Sequence, residues 1–250
     1  QYDNQVLLHF HRNNILNTEP PTQPTPVLHS FKTTPLVSFA ISPLLQESLR
    51  VIGQDTTDGK KGFILTLPIT VEIIGSGTAK LSIEVRDTDT PIARDTFTFQ
   101  GKTNQTRFPI PFIEATATEY TFPKGSNITV VLNASTSLTS GLNFRYDATG
   151  QDAYITLLCP SISDISVSFA DGNNIARDEF EPNLPREYRV LQVIGQVVDK
   201  FGDYDVESVD ILIQDTSGND IATVAGTVSP GSADRVANYN ATWYYPAGLT

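Results

Sequence analysis

Residues 120–135, YTFPKGSNITVVLNAS, alternate apolar and polar side chains with the two-residue period of a β-strand. One face of this strand is aliphatic and comprises Ile128, Val130 and Leu132. The opposite face, which we predict to point away from the core, comprises Asn127, Thr129, Val131 and Asn133. Asn127 and Asn133 each begin an N-x-S/T sequon for N-glycosylation. A strand with one core face and one face able to carry sugar predicts a secreted β-sandwich.

Length and composition are those of a globular chain. With 250 residues it can form one large or two ordinary domains, and 39% hydrophobic residues are enough for packed cores. No apolar run approaches the ~18 residues that a transmembrane segment needs. The chain has no signal peptide and begins with Gln rather than Met, so we expect a mature, extracellular form cleaved from a longer precursor.

The net charge of −11 is concentrated in the second part of the chain. Residues 1–160 contain 14 acidic and 12 basic residues (−2), whereas residues 161–250 contain 14 acidic and 5 basic residues (−9). This balance argues against binding to nucleic acid or to an anionic membrane surface, because both need clustered basic side chains.

The chain contains a single cysteine, Cys159, and therefore no internal disulfide. Cys159 is in phase with Ala153, Ile155 and Leu157, so we predict that it is a buried small apolar side chain rather than a reactive thiol. Methionine is absent, which is compatible with an oxidising exterior.

The first 35 residues are predicted to form a strand followed by a proline-rich tether. The strand covers residues 1–10, and the span Glu19–Pro26 has little capacity for helical or sheet hydrogen bonds. Two interpretations are open for this strand. It belongs to the sheet of its own domain, or it pairs with a neighbouring subunit by strand addition.

Residues 36–159 contain further alternating segments but no convincing helix. Strands are predicted at 36–42, 49–53, 63–74, 81–87, 95–100, 107–112, 120–135 and 153–159. Pro68 lies inside one of them and predicts a bulge or an edge position, because proline cannot donate a hydrogen bond to the sheet. About eight strands without a helix predict an all-β sandwich or barrel.

Four segments, FAISPL, LRVIG, LSIEVRD and FPKGSNITVVL, follow one another around a long apolar strand. This order resembles galactose-binding-like jelly rolls, especially those attached to secreted peptidases and carbohydrate-active enzymes, and it covers about residues 36–158. The resemblance implies a jelly-roll-like β-sandwich over residues 1–160, with loops at one end that often bind sugar and a structural calcium ion. It identifies no sugar-binding residue here, because no matching signature is present.

Pro160 and Ser161 mark a predicted domain boundary. Beyond it, the segments GQVVDKFGDYDV and VDILIQDTSGN resemble an immunoglobulin-like module of bacterial and archaeal surface proteins. About five strands fit into residues 161–250, whereas ~7 are expected of a complete sandwich. We therefore expect an incomplete last module, completed either by chain beyond Thr250 or by a strand from a partner, since an open edge is an aggregation hazard.

Two further sequons begin at Asn104 and Asn240. We predict that Asn104 lies in a loop between strands. Asn240 points outward if its odd-numbered neighbours Tyr239, Ala241 and Trp243 point inward. The predicted glycosylation sites are therefore Asn104, Asn127, Asn133 and Asn240.

Calcium is the metal that the sequence favours, at Asp199, Asp203 and Asp205 of the turn DKFGDYD. The alternative is ordinary turn formation, in which aspartates hydrogen-bond to their own backbone. His9 and His11 have a spacing compatible with a two-histidine metal site or are simply hydrogen-bonded imidazoles. The sequence suggests no other cofactor.

No motif indicates catalysis. The chain contains no G-x-S-x-G and no phosphate-binding glycine loop, and all three histidines lie within the first 29 residues. We therefore expect a non-catalytic, secreted cell-surface glycoprotein that builds a surface layer, filament or adhesive stalk by associating with itself or with neighbouring surface subunits. The alternative is a carbohydrate-binding module that accompanies a larger secreted enzyme.

Overall fold

A computed structural model divides the chain into two compact units, Gln1–Ile162 and Ser163–Thr250. It describes residues 4–73, 77–136, 140–159, 163–171, 175–176, 189–201, 206, 208–215, 217–230 and 236–246. The predicted boundary at Pro160 and Ser161 lies outside the described residues. Within the described ranges there is no helix long and apolar enough to span a membrane.

In the described residues of the first unit there are strands and one short 3₁₀ turn, Thr57–Gly59. The strands are β1 (Asn4–His11), β2 (Ile15–Asn17), β3 (Val27–Ser30), β4 (Leu36–Ile41), β5 (Leu49–Ile52), β6 (Gln54–Asp55), β7 (Lys61–Ile73), β8 (Thr78–Asp87), β9 (Thr90–Gln100), β10 (Thr103–Pro111), β11 (Glu119–Phe122), β12 (Ile128–Thr136), β13 (Ser140–Tyr146) and β14 (Tyr154–Cys159). The segment predicted as one strand at 120–135 is thus two strands, because Pro123 and Gly125 (φ +79°) turn the chain between them.

The strands of the first unit form one curved sheet. Its order is β3-β13-β7-β14-β1-β2-β4-β12-β8-β9, and β10 pairs with the side of β7 opposite to β13. An isolated bridge between Ala93 and Phe112 joins β9 to the end of β10, so the sheet curves back on itself around its core. Because β1 pairs with β14 and β2 of the same chain, the first strand belongs to its own sheet rather than to that of a neighbouring subunit.

Aromatic side chains fill the centre of this core. The rings of Phe10 and Phe39 lie 4.8 Å apart, and the Tyr146 ring lies 5.1 Å from Phe39 and 4.8 Å from Phe144. Such pairs stabilise a fold by about 0.5–1.5 kcal/mol each beyond their burial. Cys159 is fully buried, which confirms the prediction made from its phase with apolar neighbours.

Pro68 lies within β7, which has neighbours on both sides. The register of the β10 pairing shifts between Gln105 and Arg107, which face Ile69 and Thr66 of β7. The irregularity therefore lies opposite Pro68, where a ladder hydrogen bond cannot form. The predicted bulge is confirmed, whereas the alternative of an edge position is wrong.

The described residues of the second unit contain five strands, which form one sheet. Its strands are β15 (Ser163–Ala170), β16 (Val190–Asp199), β17 (Val209–Gln214), β18 (Asp220–Pro230) and β19 (Val236–Tyr244), in the order β15-β16-β19-β18-β17.

Strand β18 pairs with a different neighbour in each half. Residues 220–226 pair with β17, and residues 227–230 pair with β19. A Cβ at Gly226 would lie 3.1 Å from the carbonyl oxygen of Val209, so glycine permits the close approach at which the strand changes partner.

Because β18 changes partner, β17 packs over the face of the sheet formed by β16 and β19. Val209 and Ile211 of β17 pack against a cluster formed by Val193, Val197 and Tyr239 of β16 and β19. Apolar side chains are thus enclosed between two layers. The fold class is all-β with sandwich packing, as predicted, while the finer jelly-roll-like and immunoglobulin-like assignments stay predictions.

Candidate functional sites

A cluster of buried charge lies where the turn after β1 meets the end of β13. Asp147, which directly follows β13, is only 3% exposed. Its Oδ1 lies 3.0 Å from Nδ1 of His11, and its Oδ2 accepts hydrogen bonds from the backbone N and from Nε of Arg12. The cluster therefore ties together two segments that are separated by 135 residues along the chain.

Left-handed backbone conformations shape both sides of this cluster. Asn13, Asn14 and Asp147 have φ values of 68°, 62° and 58°. Asn and Asp adopt this conformation more readily than other non-glycine residues, since their short side chains hydrogen-bond locally. The two asparagines turn the chain sharply after β1, and Arg12 lies at the start of this turn.

Asp147 is ionised in this environment. Burial raises the pKa of its carboxyl group, but hydrogen bonds from Arg12 and His11, with the charge of His11, outweigh burial and hold the pKa below its ordinary value. Burial, followed by repulsion from the Asp147 charge, raises the pKa of the adjacent Tyr146.

His11 bridges the cluster to the proline-rich span. Its Nδ1 faces Asp147, and its Nε2 lies 2.9 Å from the carbonyl oxygen of Glu19. Both partners are acceptors, so both hydrogen bonds can be donated together only by the doubly protonated imidazole. Thr149 adds a backbone hydrogen bond to the carbonyl oxygen of Gln23 (2.9 Å), which fixes the proline-rich span further along.

The histidines are not brought together as a metal site. His9 hydrogen-bonds to Asp152 (2.8 Å) and His29 to the carbonyl oxygen of Thr34 (2.9 Å). In the part of the chain that the structure describes, no three His, Cys, Asp or Glu side chains are grouped as metal ligands. The hydrogen-bonded alternative of the sequence analysis is therefore the one observed, and the partner carboxylates come from distant segments.

A cleft of about 210 Å³ opens beside this cluster. It is lined by His11, Arg12, Asn17, Glu19, Pro20, Thr22, Gln23 and Asp147. The side chain of Arg12 is half exposed, and the buried Oδ1 of Asn17 has no hydrogen-bond partner among the described residues. The guanidinium of Arg12 can donate hydrogen bonds and Oδ1 of Asn17 can accept them, so the cleft can bind a polar ligand. The carboxylate of Asp147 is engaged by three hydrogen bonds and its pKa is lowered, so it is poorly placed to act as a base.

The predicted calcium ligands are only partly described. Asp199 is buried, and its Oδ1 accepts a hydrogen bond from the backbone N of Phe201 (2.8 Å), a turn-forming contact. Asp203 and Asp205 lie outside the described residues. The calcium site therefore stays a prediction.

Three of the four sequons lie on exposed strand positions. Asn104 and Thr106 are exposed on β10, so Asn104 lies in a strand and not in the predicted loop. Asn133 is exposed near the end of β12, and Asn240 is exposed on β19. The outward position predicted for Asn240 agrees with the burial of its neighbours Tyr239 and Ala241.

The sequon at Asn127 differs from the other three. Asn127 precedes β12 and is partly buried, its enclosed Oδ1 has no partner in the described part of the chain, and Thr129 is only 9% exposed. Val131 is likewise buried, so the predicted outward face of this strand is mostly covered. The reason is that β12 lies inside the sheet between β4 and β8, where the ion pair between Glu84 and Arg86 flanks that face.

A groove of about 540 Å³ surrounds Asn240 in the second unit. It is lined by Ile194, Ala225, Thr227, Ser229, Asn238, Tyr239, Asn240, Ala241 and Thr242. Ile194 of β16 and Thr227 of β18 are the register partners of Asn240, which places the asparagine between them.

Comparisons with known proteins give no family. No family model matches the sequence, and no curated protein matches it. Solved structures with a similar backbone fold include an aminopeptidase from a marine sediment Thaumarchaeota archaeon, with a TM-score of 0.45 at 12% identity. Another is a CocE/NonD family hydrolase from Staphylococcus aureus, with a TM-score of 0.42 at 10% identity. Each covers 63% of this chain, and this chain spans 37% of the length of each. An α-amino acid ester hydrolase has a TM-score of 0.39 at 13% identity, and the match covers 61% of this chain and 36% of the hydrolase chain. These likenesses are too weak to carry an argument.

Proposed function

We propose that this protein is a non-catalytic, secreted cell-surface glycoprotein that serves as a structural subunit of a surface layer, filament or adhesive stalk. The observation that carries the proposal is the exposure of Asn104, Asn133 and Asn240 on strands, each with its hydroxyl residue two positions later also exposed. N-linked glycans need this accessibility, and they occur on proteins displayed outside the cytoplasm.

The charged groups of the first unit support a role without catalysis. His11 and Arg12 both bond to Asp147 and hold the turn after β1 to the end of β13. A general base or nucleophile needs an unsaturated group near the reacting atom. This arrangement instead stabilises the position of the proline-rich span.

The edge strand β15 supports association between subunits. It pairs with β16 along its length, and its other side has one described bridge, from Ala170 to Ala176. Val167 and Phe169 on this strand are 52% and 45% exposed. An apolar edge strand is a template for strand addition, and we expect its partner to be a second copy of this chain.

Size-exclusion chromatography with light scattering and electron microscopy of native material test this proposal. We expect polymers or sheets, and we expect Val167→Lys with Phe169→Lys to reduce them to smaller species because charge blocks edge pairing. Leu44→Lys, a similarly exposed apolar position of the first unit, is the control. A native protein that stays monomeric at all concentrations would contradict the structural role.

The cleft beside Asp147 favours one second candidate, a carbohydrate-binding module of a larger secreted enzyme. Arg12 and Asn17 offer a donor group and a buried acceptor, a combination that suits sugar hydroxyls. A glycan array with the wild-type protein tests this candidate. We expect binding to be lost in Asn17→Ala and retained in Gln46→Ala, whose side chain lies outside the cleft. No binding to any glycan would remove it.

A further inference from the structure

The groove around Asn240 has the size and the lining of a small-ligand site. Its volume of about 540 Å³ falls within the range of roughly 300–1,000 Å³ that is usual for such sites. It results from the change of partner in β18, because Ala225 lies in the half that pairs with β17, and Thr227 in the half that pairs with β19.

Polar and apolar groups alternate along this groove. Thr227, Ser229 and Thr242 supply exposed hydroxyl groups, and Ile194 and Ala225 supply apolar surface. Sugars present hydroxyl groups around their rim and C–H groups on their ring faces, so a groove of this kind can contact both. The glycosylation acceptor is itself a lining residue.

We infer that an N-linked glycan at Asn240 folds back into this groove and braces β16, β18 and β19 against local opening. This inference rests on the proposed glycoprotein nature of the protein. The ligand is the first one or two sugars of the glycan, covalently held and therefore present at high effective concentration. The expected consequence is protection of the backbone amides of these strands.

The attachment itself is an ordinary group transfer. Nδ2 of Asn240 forms a bond with the anomeric carbon of a glycosyl phosphate donor, as the bond from that carbon to the phosphate oxygen breaks. The phosphate leaves with the bonding electron pair, and the amide loses one proton. Thr242, two residues later, completes the recognition motif that the transferring enzyme needs.

The four sequons should behave differently if burial decides their use. Asn240 has both an exposed acceptor and a groove, Asn104 and Asn133 have exposure alone, and Asn127 has a buried amide oxygen and a buried partner residue. Thr106→Ala, which removes the sequon of Asn104, is therefore the matched control for Thr242→Ala. Both variants keep the asparagine.

Peptide mass spectrometry and hydrogen–deuterium exchange of protein from the native host test the inference. We expect carbohydrate on Asn240 in the wild type and its loss in Thr242→Ala. We also expect amide exchange in residues 225–230 and 236–244 to become several-fold faster, and the melting temperature of the second unit to fall by about 4 °C. Thr106→Ala should leave exchange in these residues unchanged.

A second variant separates the groove from the glycan. Ala225→Arg fills the groove but leaves the sequon intact, so Asn240 should still carry sugar while the amides exchange as fast as in Thr242→Ala. Equal protection in Ala225→Arg and in the wild type would overturn the inference, as would a bare Asn240 beside an occupied Asn104. If none of the four asparagines carries sugar, the proposed glycoprotein function fails as well.

Discussion

The edges of the β-sheets differ between the two units. In the first unit the sheet curves until Ala93 and Phe112 form a bridge, whereas among the described residues of the second unit β15 pairs along its length with β16 alone and exposes Val167 and Phe169. A closed sheet protects its hydrogen-bonding edges, and an open one leaves them available to other chains. The exposed apolar residues of β15 are the feature on which the proposed association of subunits depends.

The hydrophobic cores of the two units also differ, and the first unit buries the larger side chains. The twelve largest fully buried side chains in the described part of the chain, seven Phe and five Leu, all belong to the first unit. The cluster of the second unit consists of Val193, Val197 and Tyr239, each 3–5% exposed. Stability scales with the apolar area removed from water, so the first unit should be the more stable.

Truncation of one aromatic side chain in each core should show the largest effect. We expect Phe39→Ala to lower the free energy of unfolding of the first unit by about 3–5 kcal/mol, because it leaves a cavity against Phe10 and Tyr146. Tyr239→Ala should cost the second unit about 2 kcal/mol, since its neighbours can collapse more easily. Differential scanning calorimetry measures both transitions. Equal losses would contradict the comparison.

Replacing a glycine by alanine in each unit tests how well each sheet accommodates an added Cβ atom. A Cβ at Gly62 would lie 2.0 Å from the carbonyl oxygen of Ile110, a backbone atom that cannot move away cheaply, whereas at Gly226 the shortest distance is 3.1 Å. We expect Gly62→Ala to destabilise the first unit by about 3 kcal/mol or more and Gly226→Ala to destabilise the second by about 1 kcal/mol. Urea denaturation followed by circular dichroism checks the order, and the reverse order would show that the second sheet is the stiffer one.

The charge cluster at Asp147 predicts a pH effect confined to the first unit. Asp147→Asn leaves His11 and Arg12 without their anion and should cost about 2–3 kcal/mol at neutral pH. The folded-state pKa of Asp147 is lowered, so its contribution is present above the unfolded value of about 3.9 and is lost as pH falls through the folded value. The difference between wild type and variant should therefore shrink below about pH 4.

Denaturation curves measured between neutral pH and pH 2 follow this difference. Asp55→Asn is the control, because Asp55 forms an exposed ion pair with Lys61 and should change stability by less than about 1 kcal/mol. A difference between wild type and Asp147→Asn that stays constant down to pH 2 would show that ionisation of Asp147 is not what stabilises the turn.

Added salt should have the smallest effect on stability, and it should stabilise the second unit more than the first. Residues 161–250 carry a net charge of −9, against −2 for residues 1–160. Raising ionic strength from about 0.01 M to 0.1 M shortens the screening length from ~30 Å to ~10 Å and weakens repulsion between like charges. We expect the melting temperature of the second unit to rise by a few degrees and that of the first to stay within about 1 °C. A larger shift in the first unit would contradict this assignment.

Local patterns predicted much of the architecture. Alternation located most strands, the phase of Cys159 predicted its burial, and Pro68 predicted the bulge that lies opposite it. The outward position of Asn240 was also readable from its neighbours. These features depend on the two-residue period of a strand and on the missing N–H of proline, which are properties of a short segment alone.

The candidate sites could not be predicted from local sequence patterns. No local signal links Arg12 to Asp147, since the hydrogen bond between them closes a loop of 135 residues. The same holds for the burial of Thr129 and Val131, which follows from the position of β12 between two other strands.

By itself, the sequence determined the all-β class, most of the strands and the sequon positions, because side-chain alternation and proline geometry act over a few residues. Only the tertiary structure decided which sequons are accessible, which carboxylate accompanies His11, and where β18 changes partner at Gly226. The physical reason is that strand pairing joins residues far apart in the chain, and their order in the sheet leaves no periodic trace in either partner.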